Sequence, residues 1–416
     1  MAKDVHPPRG MRDFLPVEKL KRDIVLNTIR GTYLGHGFQE IETPALEDLE
    51  RLTSGQGGDN EKLAFRVMKR GEELERSLGG RSELSADAAT DSLADLGLRY
   101  DLTVPLTRYY ATNRSKLPKV FKAIQTGPVW RAERPQKGRY RQFVQCDIDI
   151  IGDSSHLAEV DLLVSSLEAL EAIRLSNATI RVNHRVLLAN LLDGLGIPEE
   201  GKSQAMIIID KLDKIFAEGV VKELGEKFGA KVAETAAGWL ATLQSDLETP
   251  AELAEIFAAV ESRFGKGRLR FDPTLVRGMG YYTGTIFEIE HPESGSSIGG
   301  GGRYDGMIGR WIGEDVPAVG ISIGFERAVD LVPDNFAIKP PMMLVLVLED
   351  TTPETIGLAL ARQHELRGHG YGVRLEQRPK KLNLLLDSLG EQGFTHFASV
   401  GVNSTSYESL DIKAIA

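Results

Sequence analysis

A single cysteine, Cys146, stands in a chain of 416 residues, so no disulfide can form within it and a reducing compartment suits it. No run of about 18 apolar residues occurs that could span a bilayer as a helix. The opening Met1-Ala2-Lys3-Asp4-Val5-His6-Pro7-Pro8 lacks the apolar centre of a signal peptide. These absences predict a soluble, cytoplasmic protein with no membrane partner. Internal repeats and low-complexity tracts are missing too. So is a basic excess: the net charge of −10 weighs mildly against nucleic acid, because phosphate binders tend to be basic. A phosphate responds to the local field, however, since charges are screened over about 10 Å. Residues 131–141, Arg-Ala-Glu-Arg-Pro-Gln-Lys-Gly-Arg-Tyr-Arg, set five cations against one carboxylate, so the whole-chain sum does not decide the question.

What is present is ordinary globular material, 42% hydrophobic and 26% charged, in a chain too long for one core. Two or three domains are expected. Leu20, Ile24, Val25, Ile29 and Tyr33 give residues 17–35 helical spacing, and Phe38 to Pro44 reads as a short strand stopped by proline. Residues 79–97, rich in Gly, Ser, Asp and Ala, read as a surface loop or weak helix. From Leu98 to Gly152 the pattern turns to strands. Val129 to Arg131 and Arg141 to Ile151 flank a Pro-Gln-Lys-Gly turn and form a long antiparallel hairpin. Residues 156–174 and 185–264 are helical in period, and Thr249-Pro250-Ala251-Glu252 has the form of a capping box with proline at the first helical position. Strands return at 283–290. Met343 to Leu348, Gly372 to Glu376 and His396 to Val400 alternate with helices opened by Thr352-Pro353 and Pro379-Lys380, a small α/β domain.

One motif fails on context. Gly196 to Ser203 fits the phosphate-loop pattern G-x-x-x-x-G-K-S, but a helical segment precedes it where a strand is required. Glu199 and Glu200 would also face phosphate oxygens, so a helix–loop–helix turn is expected. The run Gly299 to Gly302 likewise misses the dinucleotide spacing, with Tyr304 at the third glycine position.

The hairpin carries more. In its second strand Phe143, Gln145, Asp147 and Asp149 share one face, a polar floor, while Val144, Cys146, Ile148 and Ile150 share the other, an apolar one. Arg131 and Glu133 alternate on the first strand. A nucleotide that adenylates a carboxylate needs cations on its phosphates and a stacking partner for its base. Arg131, Arg139 and Phe143 supply these types, and Glu133 can receive a donor. A solvated charged hairpin would show the same charges.

Beyond the bare chemistry, Arg131-Ala-Glu133-Arg-Pro-Gln-Lys-Gly-Arg139-Tyr-Arg-Gln-Phe143-Val-Gln145 resembles motif 2 of the class II aminoacyl-tRNA synthetases in its histidyl form. Gly320-Ile-Ser-Ile-Gly324-Phe-Glu-Arg327 resembles motif 3, and Glu40-Ile-Glu-Thr-Pro44 resembles motif 1, a dimer-interface element. Two segments, 275–284 (Leu-Val-Arg277-Gly-Met-Gly280-Tyr281-Tyr282-Thr-Gly) and 300–306 (Gly-Gly-Gly-Arg303-Tyr304-Asp305-Gly), resemble histidine signatures, and Arg9-Gly-Met-Arg-Asp13 also matches. The matches keep the family's order over nearly the whole chain.

The resemblance implies an α+β fold: a class II antiparallel sheet flanked by helices, a helical insertion and a C-terminal α/β anticodon-binding domain. The catalytic domain would occupy 1–184 and 267–334, the insertion 185–266 and the anticodon domain 340–416. It implies activation of L-histidine with ATP and Mg²⁺ to histidyl-adenylate and pyrophosphate, then transfer to tRNA(His), by a homodimer. Asp101, Thr103 and Gln145 would bind the α-amino group; Asp149 and Tyr282, with Tyr281 and Tyr304, would form the ring pocket. Arg277, Arg131 and Gln145 would be the catalytic set, and Arg131, Glu133, Arg139, Phe143 and Arg327 would hold ATP; no protein metal site is implied. Each has a structural competitor. Asp101 could cap a helix beginning at Leu102, Tyr281 or Tyr282 could be a core aromatic, and Arg303 with Asp305 could be a turn ion pair. Gly280 departs from the family's Asp, Asp149 from its more common Glu, and 411–416 lacks a closing helical pattern. The rivals are a non-charging paralogue, the regulatory subunit of ATP phosphoribosyltransferase, and an enzyme activating histidine for another acceptor.

Overall fold

The computed structural model describes residues 5–53, 63–79, 93–135, 138–243, 247–277, 282–333, 336 and 342–415. Gly280 and Tyr281 lie outside them. In chain order the first elements are α1 (Pro16–Gly35), β1 (Gln39–Glu40), β2 (Leu46–Asp48), α2 (Leu49–Leu52), β3 (Arg66–Met68), α3 (Gly71–Leu78), β4 (Ala94–Leu98) and α4 (Thr103–Asn113). There follow β5 (Phe121–Trp130), β6 (Gln142–Ile151), α5 (His156–Ala172), β7 (Thr179–His184), α6 (Arg185–Gly194), α7 (Lys202–Ile209), α8 (Leu212–Phe228), α9 (Ala230–Thr242) and α10 (Ala251–Phe264). Next come β8 (Leu269–Phe271), β9 (Thr285–Glu290), β10 (Gly299–Arg303), α11 (Gly306–Ile312), β11 (Ala318–Gly324) and α12 (Phe325–Leu331). The last are β12 (Met343–Leu348), α13 (Pro353–Gly368), β13 (Gly372–Gln377), α14 (Leu382–Glu391), β14 (His396–Val400) and β15 (Lys413–Ala414). They divide between two units, Met1–Asp13 with Val25–Pro333, and Phe14–Ile24 with Asp334–Ala416.

The larger unit is organised by an eight-stranded sheet in the order β1-β5-β6-β11-β10-β9-β7-β8. Its interior pairs are antiparallel, whereas the edge pairs β1·β5 and β7·β8 are parallel. The hairpin of β5 and β6 forms as its alternation dictates, in register from Phe121 opposite Ile151 to Trp130 opposite Gln142. Cys146, Ile148 and Ile150 are buried on its apolar face. Arg303 ties β10 to α5: it donates to Glu159 Oε1 at 2.7 Å and Oε2 at 2.6 Å, and reaches Asp305 at 3.3 Å. The expected turn pair is therefore real, but the larger partner is a buried glutamate.

Several expectations are corrected. The 98–152 block is not all strand, because α4 interrupts it. The Asp101 carboxylate accepts from Val104 N at 3.1 Å, and Pro105 falls in the first turn, where its missing N–H is harmless. Part of 79–97 is the middle strand of a second sheet, β2-β4-β3. Gly97 hides that strand from the sequence, yet the packing needs it: a Cβ there would lie 2.8 Å from Leu52 Cδ1. The Thr249 box is not formed. Helix α10 follows Pro250 without a side-chain cap, and Leu253 N bonds Pro250 O at 3.0 Å. Along α1, Val25, Ile29 and Tyr33 are buried but Leu20 is exposed, because five residues place it roughly 140° round the helix from Val25. Strands β7 and β8 were not foreseen.

Helices α6 to α9 pack about one core, in which Leu188, Leu192, Ile209, Val220, Leu224 and Ala236 are buried together with Val276 and, from β9, Ile286. The failed phosphate loop lies here as a turn between α6 and α7, with Lys202 bonded to Asp193 and Glu199 at 2.8 and 2.6 Å. In the smaller unit β12 is parallel to both β13 and β14. Its successive residues serve two cores: Leu344, Leu346 and Leu348 meet α13, while Val345 and Val347 meet α14. Thr352 caps α13, its side chain accepting from Thr355 N. Among the described residues no helix is long and apolar enough to cross a membrane.

Candidate active site

The polar face of β6 floors a cavity of 730 Å³. Phe143, Gln145, Asp147 and Asp149 all line it, as their alternation requires. The neighbouring strands leave room because they are glycine-rich. A Cβ on Gly320 would stand 2.0 Å from Asp149 Oδ1, one on Gly300 2.7 Å from an Arg277 nitrogen, and one on Gly302 2.9 Å from the Tyr282 ring. The glycine run is thus neither a loop nor a phosphate cradle; it is strand β10, kept thin so that side chains can pass over it.

One end of the cavity is acidic and buried. Asp101, Asp147 and Asp149 are each at most 6% exposed. Tyr304 donates its hydroxyl to Asp149 Oδ1 at 2.6 Å. Burial pushes Asp149 up to about 7, against the lowering effect of that bond, and the nearby Asp101 charge adds to the rise. Burial likewise raises Asp101 to about 6, against the helix bond from Val104 and the charge of Arg131. Asp147 is raised well above the ordinary carboxylate range, by burial first and then by the Asp149 charge. Three reluctant carboxylates in one pocket favour a ligand that brings positive charge or N–H donors. Gln145 donates to Ser322 Oγ at 3.0 Å, and its Oε1 is buried without a partner among the described residues. That acceptor calls for a donor from the cavity.

The other end is basic. Arg131, Arg139, Arg277 and Arg327 line it with Glu133 and Phe143. Arg131 is fixed by its bond to Tyr100 O at 3.0 Å, and its guanidinium lies 5.0 Å from the Phe143 ring centre. Glu133 approaches Arg139 at 3.8 Å. Arg277 is held by Glu288 at 2.7 Å and by Ser297 Oγ at 3.0 Å. Arg327 donates to Gly138 O at 3.2 Å and to Ser297 O. Burial, followed by the like charges of Arg139 and Arg277, lowers its pKa, which marks a concentration of cations awaiting an anion.

Of the residues picked from sequence, Asp101, Thr103, Arg131, Glu133, Arg139, Phe143, Gln145, Asp149, Arg277, Tyr282, Tyr304 and Arg327 all line this one cavity. Tyr281 lies outside the described residues. Asp101 accepts from Val104 N at the start of α4 and lines the cavity as well. Sequence reasoning missed Ser297 and Ser322, which brace the arginines and Gln145, and gave Asp147 no role although its position on the polar face was plain. Ser203 and Ile207 of α7 also reach the cavity, although nothing but the failed motif drew attention to that stretch.

Known proteins resemble this chain in sequence and fold. The histidyl-tRNA synthetase family model matches residues 10–90 and 90–328. A histidine–tRNA ligase of Leifsonia xyli subsp. xyli is 50% identical, covering 100% of this chain and 99% of its own. A probable histidine–tRNA ligase of Tropheryma whipplei is 40% identical over 94% of each. Among solved structures, the histidyl-tRNA synthetase from Nostoc sp. PCC 7120 superposes with a TM-score of 0.76 at 27% identity, covering 99% of this chain and 97% of that one. Sequence and fold agree, and the chain belongs to the histidyl-tRNA synthetase family.

Proposed function

We propose that this cavity joins L-histidine to ATP and that the protein then charges tRNA(His). The observation that carries the reading is the polarity of one cavity: buried carboxylates at one end and converging arginines at the other. The acidic end suits a zwitterion's ammonium and an imidazole; the basic end suits phosphates. Asp101, Thr103 and Gln145 receive the α-ammonium, and Asp149, oriented by Tyr304, accepts from a ring N–H. Tyr282 completes the ring pocket. Arg131, Arg139 and Arg327 hold the ATP phosphates, with Phe143 under the base and Glu133 accepting from the adenine or pyrophosphate side.

In the first step a histidine carboxylate oxygen attacks the α-phosphorus, and pyrophosphate leaves with the bonding electron pair. Negative charge accumulates on the oxygens between the reacting groups, where Arg277 and Arg131 stabilise it. In the second, a ribose hydroxyl of the tRNA 3′ end attacks the activated carbonyl, AMP leaves, and the hydroxyl proton passes to solvent or phosphate. No protein nucleophile is needed, and positioning does most of the work. Mg²⁺ would supply charge neutralisation on the ATP phosphates, its usual mode of binding, with Glu133 and Glu326 the carboxylates lining that end.

The domain roles belong to the same reading. Residues 1–184 and 267–334 form the catalytic domain, 185–266 the insertion, and 340–416 the anticodon-binding domain. In that last region Arg374, Arg378, Lys380 and Lys381 are the cations to test for tRNA contact. Homodimerisation through the motif 1 segment is supported by the position of β1 at the sheet edge with both residues exposed. The full-length identity with a ligase speaks for charging over the non-charging rivals. The test is ATP–pyrophosphate exchange across a panel of amino acids with Mg²⁺ present. Exchange dependent on L-histidine alone is expected; exchange with none of them, or with another amino acid, overturns the reading.

A further inference from the structure

We propose that Asp147 is a second carboxylate for the α-ammonium group of the amino-acid substrate, working beside Asp101 and leaving Asp149 to the ring. The inference rests on the reading of the cavity as a histidine site and adds a specificity-determining residue to it.

The placement comes from the strand. Asp147 and Asp149 project from the same face of β6 and both line the cavity. Two residues along a strand advance about 6.7 Å. That is close to the reach from the α-nitrogen of histidine, across Cα, Cβ and the ring, to its far nitrogen. Asp149 is committed to the ring end by its bond from Tyr304 at 2.6 Å. Asp147 lies one step toward the arginines. Its own bonds come from neutral groups: Gln145 Nε2 at 3.4 Å and the Ser322 hydroxyl. The charge of Arg131 bears on both Asp147 and Asp101. On β6 Asp147 thus stands between Asp149 and the Gln145–Phe143 stretch, in the cavity that Asp101 and Arg131 also line, which is where an amino acid must present its ammonium and carboxylate to the ATP.

A second observation points to a ligand at that spot. Gln145, adjacent on the same face, is 8% exposed and its Oε1 has no partner among the described residues. Its amide nitrogen is turned toward Ser322 and Asp147. An ammonium placed there gives a donor to Gln145 Oε1 and a counter-charge to Asp147 in one group. A purely structural Asp147 would be a carboxylate 3% exposed with no ion pair of its own among the described residues, an unfavourable arrangement that an apolar or amide side chain would avoid.

The experiment uses the full chain with three probes: L-histidine, histidinol, which keeps ammonium and ring, and imidazole-4-propionate, which lacks the amino group. Binding is measured by calorimetry for wild type, Asp147→Asn and Asp147→Ser, with thermal midpoints recorded for all three proteins. The Asn variant should bind histidine and histidinol roughly 10- to 100-fold more weakly, the range for a lost charge-assisted bond, and imidazole-4-propionate within about twofold of wild type. In pyrophosphate exchange the KM for histidine should rise in step while the KM for ATP stays put. Equal weakening of all three probes assigns Asp147 to the ring and overturns the proposal, as does no weakening of any. The Ser variant is read the same way if the Asn variant does not fold, and failure of both to fold makes Asp147 structural and also overturns it. A wild type that binds no probe and exchanges with no histidine contradicts the histidine-site reading itself, a different result from either.

Discussion

Replacing Tyr304 by Phe removes one oxygen and isolates the part of the account that concerns the ring. The Tyr304 hydroxyl donates to Asp149 Oδ1 at 2.6 Å in a site where Tyr304 is 1% and Asp149 3% exposed. A bond to a buried carboxylate contributes about 1.5–3 kcal/mol, with little water to replace it. Burial has already raised Asp149 to about 7, and the tyrosine bond is what opposes that rise. Without it the carboxylate becomes still harder to ionise. Imidazole N–H donates to the ionised acid, so histidine affinity develops as pH rises through the Asp149 pKa. In the variant that limb should move upward by about one to two pH units. At neutral pH the KM for histidine should rise roughly 10- to 100-fold while the KM for ATP holds. The assay is pyrophosphate exchange from pH 5.5 to 9 at saturating ATP. A Tyr304→Phe protein whose histidine KM and pH limb match wild type would refute the assignment of Asp149 to the ring.

Four further outcomes follow from the same geometry. Gly320→Ala sets a methyl 2.0 Å from Asp149 Oδ1, so the acid must swing away from Tyr304; histidine KM should rise at least about tenfold with ATP KM nearly unchanged. Arg277→Ala should abolish adenylate formation with the fold retained, and near-normal histidine-dependent exchange would remove Arg277 from the mechanism. Glu159→Ala strips the buried Arg303 of its main partner and should lower stability by about 3–5 kcal/mol in chemical denaturation. The raised pKa values of Asp101, about 6, and Asp149, about 7, give a sign as well. What they contribute to ligand-free stability is present below the ordinary carboxylate range and lost as pH rises through 6 and 7, whereas histidine binding strengthens over that interval and releases protons. Calorimetry in two buffers of different ionisation enthalpy measures the release, and proton uptake there would contradict it.

The floor of the site was legible because a strand has a period of two. Once β6 was recognised, Phe143, Gln145, Asp147 and Asp149 had to share a face. The ordered motifs located Arg131, Arg277 and Arg327, which meet only through strands and turns distant in sequence. Other features were hidden for definite reasons. Helix α4 begins with a Thr-Val-Pro run that reads as strand until Asp101 caps it. Strand β4 contains a glycine that its packing against Leu52 requires and its propensity disfavours. Strand β7 falls in the short stretch between two helical segments, which received no reading of its own. Ser322 and Ser297 are small residues whose importance lies in what they hold, which no local pattern records. The capping box at Thr249 shows the reverse error: the residue types were right, and the backbone placed them one step out of reach.

Charging of purified tRNA(His) with labelled L-histidine, ATP and Mg²⁺, wild type against Arg131→Ala, tests the central claim most directly. The account predicts labelled aminoacyl-tRNA with wild type and little or none with the variant, both proteins being folded. A folded wild type that forms histidyl-adenylate but leaves the tRNA uncharged would contradict it and point to a different acceptor for the activated histidine.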